Sequence, residues 1–156
     1  MAATDSNIQH RWDFGVTGTR YGMTAAQRKE VLRIMVELAE KRPNVHLHHG
    51  CCIGADEQYS LLGAYLGFYL VAHIPERREY MSMPAYELSN FINPARPYLE
   101  RNRIIVDRSS YLIAAPKDLN FNSSRGTWYT IEYAQSKGIP ITIVAPDGRV
   151  QNHGSL

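Results

Sequence analysis

A chain of 156 residues with 44% hydrophobic and 21% charged residues has the size and make-up of one globular domain with one core, not of a disordered polymer. No apolar run approaches the roughly 20 residues needed to span a bilayer. The opening MAATDSNIQHRW lacks the charged-then-apolar pattern of a secretion signal, so a cytoplasmic protein without a membrane partner is expected. A formal net charge of +2 gives no bulk attraction to nucleic acid.

Taken in order, residues 1–11 are polar and expected to be flexible. Trp12 to Thr17 reads as a first strand, and Gly18 to Gly22 as a turn. Thr24 is a good N-cap for a helix from Ala25 to Lys41, whose Val31, Leu32, Met35, Leu38 and Ala39 recur at helical spacing. Val45 to His49 is a short strand, Gly50 to Gly54 a turn, Ala55 to about Gly67 a helix, and Tyr69 to Ile74 a strand. Residues 75–97 hold four prolines together with Tyr80, Tyr86 and Phe91. The prolines exclude one long helix, and the segment reads as an excursion that closes a site or joins subunits. A helix from Tyr98 to about Arg108, a strand from Tyr111 to Ala115, a helix from Gly126 to Lys137 and a strand from Ile141 to Ala145 follow. The tail beyond Pro146 reads as surface, with 149–156 a flexible end.

This alternation predicts an α/β fold. It is a single Rossmann-like domain over residues 12–148, with a parallel sheet of about five strands and helices on both faces. Ligands of such sheets sit beyond the carboxyl ends of the strands, where the strand order reverses.

Three turns at that end share glycine, hydroxyl and arginine residues: Gly18-Thr19-Arg20, Gly50 to Asp56, and Ser123-Ser124-Arg125-Gly126-Thr127. Glycines admit a ligand close to the backbone, and a helix start offers free N–H groups to a phosphate. Both GxGxxG and GxxxxGK[ST] are missing, which argues against a dinucleotide dehydrogenase or an ATPase. Asp56 suits either the helix dipole or a ligand hydroxyl. In the Tyr98 helix, Arg103 has surface partners at Glu100 and Asp107, which leaves Arg101 as the ligand-facing arginine. The 13 arginines against 4 lysines suit bidentate phosphate contacts. His46 and His48 share a strand face, but nothing at ligand spacing completes a metal site. The adjacent Cys51 and Cys52 read as small buried residues. Neither a metal nor a cofactor is therefore expected.

Gly18-Thr19-Arg20, then Gly54-Ala55-Asp56, then Arg101-Asn102-Arg103-Ile104-Ile105, then Ser124-Arg125-Gly126-Thr127-Trp128-Tyr129-Thr130 together resemble the SLOG superfamily. That superfamily joins the DNA-processing Smf/DprA proteins to the LOG "lysine decarboxylase-like" proteins. The resemblance covers residues 12–148 and implies loops that bind nucleotides or nucleotide-derived molecules. It also implies two alternatives: a nucleoside 5'-monophosphate phosphoribohydrolase, and a DprA-like single-stranded DNA-binding module. For the hydrolase, Arg101 matches the family's arginine. The motif PGGxGTxxE, aligned on Thr130, puts its glutamate on Tyr133, one residue from Glu132.

The expected function is thus binding of a nucleotide or nucleotide derivative, to sense, carry or sequester it, by a homodimer or higher homo-oligomer. The expected contacts are Gly18, Thr19, Arg20, Gly54, Ala55, Asp56, Arg101, Ser124, Arg125, Gly126, Thr127 and Thr130. Arg101 and Glu132 are the catalytic pair only if the chain is an enzyme.

Overall fold

A computed structural model describes residues 11–120 and 125–156. The chain runs β1 (Trp12–Gly18), α1 (Ala25–Lys41), β2 (Val45–His49), α2 (Ala55–Tyr65), β3 (Tyr69–Pro75), a 3₁₀ turn (Arg78–Tyr80), α3 (Met83–Leu88), β4 (Phe91–Arg96), α4 (Tyr98–Asp107), β5 (Leu112–Ala115), α5 (Arg125–Lys137), β6 (Ile141–Val144) and β7 (Val150–His153). The strands form one sheet in the order β4-β3-β2-β1-β5-β6-β7, parallel except for the antiparallel β7. None of the described helices is long and apolar enough to cross a membrane.

The α/β character and the layering agree with the sequence reading, but the strand count does not. Seven strands replace the five expected. One addition, β4, comes from the excursion. Pro94 is tolerated there because β4 lies at the sheet edge, where a missing N–H breaks no ladder. The other, β7, comes from the tail. The Asp147-Gly148 turn, with Gly148 at φ +87°, folds Val150–His153 back onto β6.

Alternating strand residues divide the core. Phe14, Val16 and Leu47 pack with Val31, Met35 and Tyr59 of α1 and α2 on one face. Leu112, Ala114, Ile141 and Ile143 pack with Val106, Ile131 and Ala134 of α4 and α5 on the other. A capping box fixes the start of α1: the Thr24 hydroxyl accepts from Gln27 N–H at 3.0 Å, and the Gln27 side chain accepts from Thr24 N–H at 3.0 Å. Gln27 also donates to the carbonyls of Pro116 and Val144, at 2.8 and 3.0 Å, which ties α1 to the ends of β5 and β6. After β1 the chain moves outward through β2, β3 and β4, then returns to β5 on the other side of β1. The switch in strand order lies between β1 and β5, beneath the turns singled out from the sequence.

Candidate ligand-binding site

The first two turns are locked together. Gly18 lies so close to α2 that a Cβ on it would stand 2.6 Å from that of Ala55. Gly54, at φ +88°, would place a Cβ 2.4 Å from the Arg20 carbonyl. Ala55 N–H donates to the Thr19 carbonyl at 2.9 Å, and Thr19 N–H to the Ala115 carbonyl at 3.1 Å. The Thr19 hydroxyl accepts from Tyr21 N–H at 3.1 Å. These glycines thus bring two protein segments together, and that contact aims the first turn of α2 at the strand ends.

There it sets Asp56, which is buried beside Gly50 with Arg101 of α4 on the other side. A Cβ on Gly50 would stand 2.7 Å from Arg101 Nη1 and 2.8 Å from Asp56 Oδ2. Gly50 is the thin floor between two buried charges. Arg101 is 3% exposed. Its Nη1 donates to the carbonyls of Gly50 and His73, and its Nε to Asn102 Oδ1 at 2.9 Å. Among the described residues, Nη2 has no acceptor and the guanidinium has no carboxylate within 4 Å. Asp56 Oδ2 accepts from Cys52 N–H at 3.2 Å. Burial pushes the Asp56 carboxyl up to about 6, against the opposing pull of Arg101 and of the backbone N–H groups of Cys52 and Gly50. Burial also raises both cysteine thiols, that of Cys51 to about 12, so neither is a thiolate nucleophile.

Arg101, Asn102, Asp56, Gly50 and Gly18 bound a pit of about 30 Å³, roomy enough for a single polar atom or water. The pit shares Arg20, Cys52 and Tyr98 with a cavity of about 290 Å³. Tyr80 and Pro97 complete the cavity's aromatic and ring-bearing walls, with residues 75–77 along the rim. The Arg20 guanidinium lies 4.3 Å from the Tyr80 ring centre. The Tyr98 ring lies 5.4 Å from the Arg101 guanidinium, and its hydroxyl is pressed against Gly126, where any Cβ would collide with it. Tyr98 therefore stands between the pit and the start of α5.

The third turn is only partly within the described residues, and Ser124 lies outside them. Arg125 is exposed and Thr127 buried. The Thr130 hydroxyl donates back to the Gly126 carbonyl at 2.9 Å, which leaves it a structural contact of its own helix. Glu132 is exposed and lines neither cavity. Tyr133 donates to Asp107 Oδ1 at 2.7 Å, and Arg103 to the Tyr129 hydroxyl at 2.8 Å. That flank of α5 is clamped onto α4 and does not face the site. A wider cavity, about 790 Å³, opens at the other end of the sheet between α1 and β6–β7. Its Arg33 is paired with Glu30 and Glu37, and its Tyr111, Thr142 and Asn152 bond to one another. It holds no unpaired buried charge among the described residues.

The structure thus gathers Gly18, Arg20, Asp56 and Arg101 around one opening, with Gly54 and Ala55 as the scaffold behind them. The expected contacts left out Gly50 and Cys52, although their turn was singled out, and Asn102 and Tyr98. Tyr98 and Asn102 flank Arg101 in α4, and Gly50 and Cys52 precede Asp56. Their neighbours were the available signal. Among the described residues, no three His, Cys, Asp or Glu side chains gather to hold a metal ion.

No protein-family model matches this chain, and no curated protein does. Its structure is similar to several solved ones. The molybdenum cofactor binding protein of Rippkaea orientalis superposes with a TM-score of 0.66 at 18% identity, over 85% of this chain and 76% of that one. The molybdenum cofactor carrier protein of Chlamydomonas reinhardtii gives 0.62 at 14% identity, over 85% and 76%. DNA processing protein A of Streptococcus pneumoniae gives 0.65 at 18% identity, over 94% of this chain but 52% of that one, so this chain spans about half of its length. All three likenesses, at 14–18% identity, show a shared fold, and one of the proteins is named for DNA processing, as is one branch that the ordered motifs resemble.

Proposed function

We propose that the chain binds a phosphate-bearing small molecule with an aromatic ring, a nucleotide or nucleotide derivative, and carries, senses or sequesters it. One observation carries this reading. Arg101 is buried, its outer nitrogen has no acceptor among the described residues, and it looks into a pit at the switch point of a parallel sheet. A buried guanidinium with no direct ion pair is costly, and an anion from outside supplies one. The pit and its cavity together, at roughly 300 Å³, fall at the small end of the range for ligand sites. Gly18, Gly50, Arg20 and Asp56 line the approach, with Gly54 and Ala55 behind them; the start of α5, with Arg125, Gly126 and Thr127, is proposed to reach the ligand past Tyr98. Structural neighbours named for binding or carrying a cofactor support a binding or carrier role.

Two lines of support favour binding over N-glycosidic hydrolysis. That reaction needs a carboxylate aimed at the sugar, and Glu132 is exposed outside the cavities. Asp56 is the carboxylate of the pit, held by backbone N–H groups. The two free thiols, Cys51 and Cys52, fit a reducing, cytoplasmic setting. We also propose self-association, motivated by Phe91 and Leu99, which stay 53% and 42% exposed. Light scattering is expected to find a dimer, and a monomer at every concentration counts against it.

Native mass spectrometry of the protein as purified tests the main reading. The expected spectrum carries an added mass in the nucleotide range that disappears on denaturation. A ligand-free spectrum, together with no binding of any added nucleotide, contradicts it.

A further inference from the structure

The 290 Å³ cavity contains one feature that anchoring a phosphate does not use, the side chain of Glu76. Three charged residues line this cavity, and two are committed elsewhere. Arg20 lies on the Tyr80 ring at 4.3 Å. Arg77 reaches the same ring at 5.6 Å and pairs with Glu79 at 3.3 Å. Among the described residues, Glu76 forms no hydrogen bond and no ion pair. The remaining walls are Cys52, Pro75, Tyr80, Pro97 and Tyr98. Rings and flat guanidiniums on several sides suit a planar heterocycle, which stacks on them without regard to its edge. The edge is then read by whatever polar group stands at the rim.

We propose that Glu76 selects ligands whose ring presents two adjacent N–H donors, the 2-amino-4-oxo edge shared by guanine and pterin rings. This rests on the ligand reading above and names the ring that reading leaves open. An ionised carboxylate is acceptor-only and takes two parallel N–H bonds from such an edge. Adenine offers one donor beside an acceptor there, and that acceptor faces a carboxylate oxygen with no proton between them. Hypoxanthine offers one donor and lacks the amino group. Glu76 is exposed at the rim, so the discrimination is modest, about tenfold for one bidentate pair. The glutamine variant has a definite consequence. An amide presents one donor and one acceptor, the complement of adenine's edge.

The experiment is calorimetric titration of the intact protein and of Glu76→Gln with GMP, IMP, AMP and neopterin monophosphate. The wild type is expected to bind GMP or the pterin at least about tenfold more tightly than IMP and AMP, and whichever of the two binds more tightly identifies the source of the edge. Glu76→Gln is expected to abolish that preference and to bind AMP more tightly than the wild type does. Because Glu76 is exposed and forms no hydrogen bond or ion pair among the described residues, the variant is expected to fold, and its thermal midpoint serves as the control. Equal wild-type affinities, or a preference that survives in Glu76→Gln, overturn the role of Glu76 and leave the ligand site standing. No binding of any of the four to the wild type overturns the ligand reading itself.

Discussion

Two sets of buried polar residues lie on the α4 face of the sheet, and they are finished differently. Along the strands, Asp13, His48 and His73 form a chain. With Asp13 ionised, His48 Nε2 donates to its Oδ1 at 2.7 Å, and His73 Nε2 meets His48 Nδ1 at 2.9 Å. Arg11 closes the outer end on Asp13 at 2.8 Å. Toward the ends of the strands, Arg101 and Asp56 flank Gly50 with no direct pair between them, and among the described residues one nitrogen of Arg101 has no acceptor. A closed network specifies a fold. A buried charge left open toward a cavity specifies something that enters. Of the two histidines that tempt a metal reading in the sequence, His48 belongs to the closed set, whereas His46 stands apart, bonded to Asn44 with its Nδ1 unpaired among the described residues; the glycine-rich turns surround the open set.

The largest effect that sharpens this contrast is on ligand affinity. Arg101→Leu is expected to weaken nucleotide binding by at least about a hundredfold, the scale of losing a charge-assisted contact. Calorimetry measures it, and unchanged affinity removes Arg101 from the site. The mirror experiment is His48→Leu. It leaves His73 without its partner and Asp13 with Arg11 alone, and is expected to lower stability by about 2–3 kcal/mol in urea unfolding, with nucleotide affinity unchanged. A His48 variant that loses ligand but not stability reverses the assignment of the two sets.

Acid separates them next. Burial pushes the buried His49 and His73 down to about 3, so each holds the fold more firmly while neutral. Their folded values lie below the unfolded value near 6.5, so their contribution is present above pH 6.5 and is lost as pH falls, at about 1.4 kcal/mol per pH unit each. Asp56 has the opposite sign. Its value is raised to about 6, so protonation favours the fold as pH falls from 6 toward 4. Between pH 6 and 4 Asp56→Asn should lose stability more steeply than the wild type, by about 1.4 kcal/mol per pH unit. Equal slopes in the two proteins mean that Asp56 does not titrate in the pit. The smallest effect concerns α5. Glu132→Ala should change nucleotide affinity less than twofold, and chromatography of nucleoside monophosphates incubated with the wild type should show no free base at ordinary enzymatic rates. Rapid turnover that vanishes in the variant restores the hydrolase reading.

Much of the frame was legible. Helical spacing located α1, α2, α4 and α5, and the apolar runs located the strands that are buried on both sides. Partner counting along α4 gave Arg103 to Glu100 and Asp107, but Arg103 donates to the Tyr129 hydroxyl, Glu100 pairs with Arg96 and Asp107 accepts from Tyr133; Arg101, which the counting left without a partner, is buried. The two additional strands were less legible for different reasons. The four prolines hid β4, since only its place at the edge of the sheet makes Pro94 harmless. The tail hid β7 even though Asp147-Gly148 is a hairpin signal, because the flanking residues are polar. The glycines of the first two turns were read as making room for a ligand, whereas Gly18 and Gly54 make room for one another's loops. That distinction depends on which segment lies opposite, which spacing along the chain does not record. Tyr98 was invisible as a site residue for the same reason: its partner, Gly126, is far away in sequence.

The most direct test of the central claim is a crystal structure of the protein soaked with a nucleoside monophosphate. The account predicts a ligand over the ends of β1 and β2, with an anionic oxygen within hydrogen-bond distance, about 3 Å, of Arg101 Nη2 and its ring in the cavity between Tyr80 and Tyr98. A ligand seated in the 790 Å³ cavity between α1 and β6–β7, with Arg101 still unpaired, contradicts it.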